Sequence, residues 1–210
     1  MWFLPWRCWR QSSACGFTSD RNAGESRGET FIRSLRPNVT REEALRAFTA
    51  PGPASLVWKL RRGPLQRIAQ AYIPFQLYRV RYHMGGAEHT HLFALDAVDG
   101  TLDLFEFATP PGDAETVVVS TRNHPTARLS AASAEELVRE KVLRLIFQQG
   151  FFKVRAVKLE IDRLPGEIHL PYWLGFYGTR DNLRCRVMDA VRRRIEGARA
   201  SALFEQWLAA

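Results

Sequence analysis

The sequence predicts an α+β fold made of two tandem units, each with one helix packed on an antiparallel sheet. A helix-start signal occurs at Thr40 and again at Ser133, 93 residues later. The tripeptide Asp-Ala-Val recurs at the same 93-residue offset, at 96–98 and 189–191. Two aromatic stretches with a proline, YIPFQLYRVRY and HLPYWLGFYG, lie between these landmarks. These landmarks occur in the same order in both halves of the chain and at nearly the same spacing, which indicates an internal duplication.

These landmarks set the predicted domain boundaries. Residues 1–39 are predicted to be a disordered leader, 40–107 the first unit, 108–132 a linker, and 133–210 the second unit with a C-terminal helix. The leader starts with MWFLPWRCWR, which is too short and too interrupted for a signal-peptide core, and continues as a polar, aperiodic stretch. An alternative role for its tryptophans is an anchor at a membrane interface.

Each unit is predicted to open with a capped helix. Thr40 and Glu43 have the spacing of a capping box, and Ser133 and Glu136 repeat it. Apolar residues follow at helical spacing in both stretches, and Gly150 suits a C-terminal cap. A further helix is predicted over ARASALFEQWL, at 198–208.

Strands are predicted to follow both helices. In the first unit they cover 54–60, 75–84, 88–96 and 102–107, with a hairpin turn at Gly85-Gly86 and a left-handed residue at Gly100. In the second unit they cover 151–162, 170–178 and 183–189, with a short strand near 192–197. The linker contains TVVVS, which favours one more strand.

The two prolines are expected to mark the first residues of equivalent strands, because proline lacks the N–H that a central strand position needs. The aromatic rings after them are interpreted mainly as core. Tyr172, Trp173 and Tyr177 cannot all point to the same side of one strand. One side of this strand is therefore expected to be an exposed aromatic surface.

The composition is that of a soluble globular chain, with 46% hydrophobic and 25% charged residues. No apolar stretch is long enough for a membrane helix. Three widely spaced cysteines without a Cys-x-x-Cys pair predict reduced thiols and a cytoplasmic location. The net charge of +8 is spread over the chain, so charge alone does not indicate nucleic-acid binding.

The helix, the hairpin and the closing LFALDAVDGTLDLFEF resemble the PepSY domain family. The matching stretches are 78–84 and 92–97 with Gly100, and the likeness covers about 65 residues of the first unit. In the second unit Arg194 stands where the turn glycine belongs. The resemblance implies a cystatin-like sheet wrapped on a helix, and non-catalytic binding or inhibition of peptides or peptidases.

One alternative function is metal binding through His83, His89 and His91. His89 and His91 share a strand face because they are two residues apart. A three-residue hairpin turn would pair His83 with His89, whereas the commoner two-residue turn would pair His83 with Glu88. The three imidazoles suit a transition metal only in the first register.

The other alternative is nucleic-acid binding at the densest basic region. Its candidate residues are Arg184, Arg186, Arg192, Arg193, Arg194, Tyr172 and Tyr177. Arginine side chains would contact phosphates, and tyrosine rings would stack on bases. The competing interpretation is a solvated face in which Asp189 and Glu196 pair with these arginines.

No Gly-x-Ser-x-Gly, phosphate-binding loop or dinucleotide motif occurs in the sequence. The first-ranked hypothesis is therefore a non-enzymatic binding or scaffold protein that uses its antiparallel sheet surfaces. Peptides or proteins are its expected partners, and no cofactor is expected.

Overall fold

The computed structural model describes residues 29–50, 60, 63–148, 158–179 and 182–209. These residues form an α+β fold with three helices and one large mixed sheet, which confirms the α+β part of the predicted fold class. The elements are β1 (Thr30–Leu35), α1 (Arg41–Thr49), β2 (Leu65–Met84), β3 (Ala87–Asp96), β4 (Phe105–Phe107), β5 (Thr116–Thr121), α2 (Ala131–Gln148), β6 (Leu159–Thr179), β7 (Asn182–Asp189), β8 (Arg194–Ile195) and α3 (Ala198–Ala209).

The sheet has the strand order β4-β3-β2-β6-β1-β5, and β7 pairs with β6 and β8. The two long strands β2 and β6 form its centre and pair antiparallel from Leu65 opposite Tyr177 to Tyr82 opposite Leu159. β1 joins β6 in parallel through Ser34 opposite His169. The sheets expected for two separate units are therefore one continuous sheet.

The first two helices pack on strands of both predicted units. Phe48 of α1 is fully buried in a cluster with Trp173 and Tyr177 of β6. Val138 of α2 is fully buried in a cluster with Val80 of β2, together with residues of β3. Leu65 of β2 also packs against the cluster under α1, and Leu159 of β6 belongs to the cluster under α2. Each of these helices therefore packs on strands of both halves of the chain, and not only on the sheet of its own predicted unit.

The third helix covers the central cluster of the sheet. Phe204 of α3 is fully buried beside Tyr172 of β6, with the ring centroids 5.6 Å apart. Ile73 and Phe75 of β2 belong to the same cluster. This cluster and the cluster under α1 contain alternate residues of β6, so helices cover both sides of this strand.

Pro74 and Pro171 lie inside the long strands, so their predicted place at strand starts is wrong. Each lies next to the end of a hairpin partner: Phe75 pairs with Asp96, and Tyr172 pairs with Asp189. The carbonyl of Pro74 accepts from Ala97 N at 2.8 Å. In a strand, the N–H and C=O of one residue point to the same neighbouring side. The N–H that each proline lacks would therefore point to the side on which the hairpin partner strand has already ended.

The predicted leader is wrong for residues 30–35, which form β1 because Ile32 and Leu35 have apolar surface to bury. Residues 1–28 lie outside the described residues. The predicted cap at Ser133 is also wrong. Ser130 accepts from Ser133 N at 3.1 Å and so starts the helix one turn earlier. Gly150, most of the predicted strand at 54–60 and the first part of that at 151–162 lie outside the described residues.

Several local predictions are confirmed. Thr40 and Glu43 make both hydrogen bonds of the capping box. Gly85 and Gly86 form a two-residue turn with φ of 61° and 82°, as a type I′ hairpin requires. Gly100 has a φ of 70°. The linker strand is β5, and α3 and β8 also form, whereas β4 covers only the end of the predicted strand at 102–107.

Candidate anion-binding cleft

The hairpin register separates the three histidines of the predicted metal site. His83 pairs with Glu88, while His89 pairs with Tyr82 on the other face of the sheet. The three-histidine metal site is therefore not assembled, and no group of three or more potential metal ligands occurs among the described residues. His91 is instead hydrogen-bonded on both sides of its ring. Its Nε2 lies 3.3 Å from the Tyr82 hydroxyl, and its Nδ1 lies 2.7 Å from a Glu106 carboxylate oxygen.

The aromatic side chains of the predicted nucleic-acid site are buried. Tyr172 is 3% exposed and Tyr177 is 1% exposed, so neither ring is open to a base. The Trp173 indole donates to Val39 O at 3.0 Å, and the Tyr177 hydroxyl donates to Phe48 O at 2.9 Å. The expected exposed aromatic side of this strand is absent from the described structure, because α1 and α3 cover its two sides.

The predicted basic residues do not form one face. Arg184 pairs with Glu205 at 2.8 Å, and Arg193 donates to Asn38 O. Arg186 lies beside the buried Tyr177, where burial raises the pKa of the tyrosine and Arg186 opposes that rise. Only Arg192 and Arg194 of the five remain together.

Arg192 and Arg194 line a cleft of about 380 Å³ with residues that come from other parts of the chain. Its lining in the described structure consists of Asp103, Leu104, Lys141, Arg144, Leu145, Gln148, Arg192, Arg194 and Arg199. Five of these side chains are cationic and one is acidic. A concave site with one dominant charge concentrates its electric field on a ligand of opposite charge.

Carboxylates neutralise three of the five cations. Arg144 pairs with Glu140. Arg192 approaches Asp189 at 3.5 Å, and its guanidinium also lies 4.2 Å from the centre of the Phe105 ring. Arg194 pairs with Glu196 at 2.8 Å and with Asp103 at 3.6 Å. These pairs hold the rim of the cleft in place and leave less charge for a ligand.

Lys141 and Arg199 have no carboxylate partner among the described residues. Lys141 donates to Leu102 O at 2.6 Å, so the protein orients its ammonium group without neutralising it. Burial lowers the pKa of Lys141, and the nearby charges of Arg199 and Arg144 lower it further, while Asp96 and Asp103 oppose this shift. An anion that replaces the lost solvation of the Lys141 ammonium group would be stabilised there, beside the exposed Arg199.

A second cavity of about 410 Å³ adjoins the first and shares Lys141, Arg144 and Arg199 with it. Leu137 and Leu203 add apolar surface to this second cavity. The next turn of α2 exposes more apolar surface, since Leu145 is 39% and Phe147 is 40% exposed. The cationic pair therefore lies between two cavities and beside an apolar helix face.

Lys141 and Arg144 are not among the site residues that the sequence predicts. Both lie on one face of α2, three residues apart, and that spacing was visible in the sequence. The apolar stripe of α2 predicts the helix but assigns no role to its polar face. Their approach to Arg192 and Arg194 depends on a packing arrangement that no local pattern encodes.

The turn next to the cleft depends on a buried carboxylate. Asp96 is fully buried, and its side chain accepts four backbone N–H groups, from Val98, Asp99, Gly100 and Leu102. Asp189 has the same role in the second turn, where Oδ1 accepts from Val191 N and Arg192 N at 2.8 Å. The two aspartates therefore fix the loops that carry Leu104 and Arg192 into the cleft.

A comparison of the chain with protein-family models, with curated proteins and with solved structures found no match in any of the three. None of the helices in the described parts of the chain combines the length and the apolar character that crossing a bilayer would need.

Proposed function

We propose that this chain is a non-enzymatic binding protein and that the cationic cleft is its recognition site. The observation that carries the proposal is the pair Lys141 and Arg199, which lies between two cavities without a carboxylate partner in the described structure. The two charges recognise an anionic side chain of the ligand. The binding site is thus a cleft between helices and turns, not an open sheet surface.

The proposed ligand is a peptide segment of a protein partner, with acidic or phosphorylated side chains next to apolar ones. The apolar side chains of the ligand would contact the apolar surface beside the cations. Leu137 and Leu203 provide this surface in the second cavity. The exposed Phe147 extends this surface along α2. A small inorganic anion would use the charges and leave this apolar surface in contact with water.

The residues that line the cleft favour binding over chemistry. In the described lining of the first cavity, of about 380 Å³, no Ser, Thr, Cys, Tyr or His side chain occurs, so no nucleophile and base are paired in it. The second cavity adds Thr101, whose hydroxyl donates to Asp99 at 2.7 Å within the turn after β3. Arginine keeps its proton at any physiological pH and serves as a fixed charge. The proposed function therefore needs no cofactor.

We also propose that residues 40–107 and 133–210 are two copies of one PepSY-like unit. The order of a helix, a long hairpin, an aspartate turn and a short strand in both halves supports this proposal. The two turns add support, because Pro74 O accepts from Ala97 N and Pro171 O accepts from Ala190 N. A cytoplasmic location stays a prediction from the cysteine content.

Selection from a random peptide library displayed on phage tests the proposed function. The wild-type protein should enrich peptides with Asp or Glu beside Leu, Phe or Trp. A representative peptide should bind about tenfold more weakly to Lys141→Gln and to Arg199→Gln, because each variant removes one charged hydrogen-bond donor. Arg79→Gln is the matched control, since Arg79 is exposed on β2 away from the cleft and the charge change is the same.

Enriched peptides without acidic residues, or equal losses in Arg79→Gln and Arg199→Gln, would contradict the proposal. A single-stranded oligonucleotide tests the alternative partner. Binding of the oligonucleotide that is tighter than that of any selected peptide, with a log–log salt slope of about 0.7 per phosphate, would favour nucleic acid.

A further inference from the structure

Lysine is scarce in this chain, and one of its few lysines lies in the cationic cleft. Only residues 59, 141, 153 and 158 are lysine, whereas 26 of the 30 basic residues are arginine. The other four cations in the described lining of the first cavity are all arginines. Arginine keeps its proton at physiological pH, whereas a lysine amine can lose its proton and act as a nucleophile. Lys141 is therefore the one cation of this described lining that can form a covalent bond with a ligand.

The contact between Lys141 and Leu102 orients the amine. Lys141 Nζ donates to Leu102 O at 2.6 Å, and Leu102 is buried and belongs to the lining of neither cavity. Lys141 itself is half-buried and lines both cavities, of about 380 and 410 Å³. A neutral amine that makes this one hydrogen bond keeps a second N–H and its lone pair. Both are left for a ligand that enters from the cavities.

The surroundings of Lys141 favour the neutral amine. Burial lowers the pKa of Lys141, and the charges of Arg199 and Arg144 lower it further, whereas Asp96 and Asp103 oppose the shift. Desolvation and a neighbouring cation are the means by which proteins activate a lysine for imine formation. A larger fraction of this amine is therefore unprotonated at neutral pH than that of a lysine in water.

The rest of the cleft selects the carbonyl compound. Arg144 and Arg199 line both cavities beside Lys141, and guanidinium groups bind phosphate and carboxylate groups. Leu137 and Leu203 give the second cavity an apolar surface for the body of a ligand. Its volume of about 410 Å³ lies within the range of small-molecule sites. The arrangement fits an aldehyde or a ketone that carries an anionic group, with its carbonyl carbon at Lys141.

We infer that Lys141 forms a reversible imine with an aldehyde or ketone that carries a phosphate or carboxylate group. The neutral amine attacks the carbonyl carbon, the resulting carbinolamine loses the carbonyl oxygen as water, and a proton from solvent gives the protonated imine. This imine keeps one N–H, which can still donate to Leu102 O. The reaction involves no oxidation or reduction, and hydrolysis reverses it. The inference goes beyond the proposed function and does not depend on the peptide ligand, although both use the same cleft.

Trapping with pyridoxal phosphate and borohydride tests the inference on the full chain. Pyridoxal phosphate is the probe because it carries both an aldehyde and a phosphate group. Borohydride reduces the imine to a stable secondary amine, which peptide mass spectrometry then locates. With less probe than protein, Lys141 should carry about tenfold more adduct than Lys158, because charged hydrogen bonds to the phosphate hold the aldehyde at Lys141. Lys158 is the matched comparison, since it is exposed in the described structure.

Two variants separate an anion-binding site from an amine that is merely accessible. Arg199→Gln should lower the labelling of Lys141 by pyridoxal phosphate about tenfold, and should lower the labelling by pyridoxal, which lacks the phosphate, much less. Arg79→Gln removes an exposed arginine of β2 away from the cleft and should change neither. Equal labelling of Lys141 and Lys158, or an equal effect of Arg199→Gln with the two probes, would overturn the inference.

Discussion

His169 makes the stability of this fold depend on pH. His169 lies in β6 and is 6% exposed, and its Nδ1 is buried without a hydrogen-bond partner among the described residues. The ring of His124 lies edge-on to that of His169 with the centroids 5.7 Å apart, and Glu167 lies 3.6 Å from Nε2. Burial lowers the pKa of His169 from 6.5 to about 4, His124 contributes in the same direction, and the backbone of Arg33 on β1 opposes the shift.

The lowered pKa defines the pH window. Above pH 6.5 the ring is neutral in both states, so the stability is fully present. As the pH falls from 6.5 towards 4, the unfolded chain takes up the proton and the folded chain does not, so stability is lost over this range. For these two pKa values the loss at pH 5 is about 2 kcal/mol, relative to pH 7.5.

Urea unfolding at pH 7.5 and pH 5.0 measures this loss in the wild type and in His169→Gln. The wild type should lose about 2 kcal/mol more than the variant between the two pH values. Burial raises the pKa of Glu167, which acts in the opposite direction, but Glu167 titrates in both proteins and its contribution largely cancels. Equal losses in the two proteins would refute the assignment of a buried neutral histidine.

Two substitutions test the packing that supports the cleft. Asp96→Ala should lower the free energy of unfolding by about 3–5 kcal/mol in urea unfolding, because it leaves three buried backbone N–H groups and one half-buried one without their acceptor, and Asp96→Asn should cost less. Equal effects of the two would contradict this role of the carboxylate. Gly175→Ala should cost about 1–3 kcal/mol, since the new Cβ would lie 3.0 Å from the Phe48 ring and 3.2 Å from Leu65 Cδ1. An unchanged melting temperature would show that α1 does not pack on β6 in this way.

The sequence by itself determined the elements whose causes lie within a few residues. The capping box of Thr40 and Glu43 starts α1, since both hydrogen bonds join residues three positions apart. Gly85 and Gly86 fix the hairpin because only their missing side chains permit two consecutive positive φ angles at no cost. The alternation along β2 and β3 then follows from this turn, and it separates His83 from His89.

The tertiary structure alone decided which surfaces these elements bury. Helix periodicity indicates that α1 has an apolar face, but whether this face meets β3 or β6 depends on residues more than a hundred positions away, such as Tyr177 against Phe48. The burial of Tyr172 and Tyr177 and the meeting of Lys141 with Arg199 have the same origin. Apolar contact is non-directional, so the periodicity of a helix shows that a face will be buried without specifying its partner.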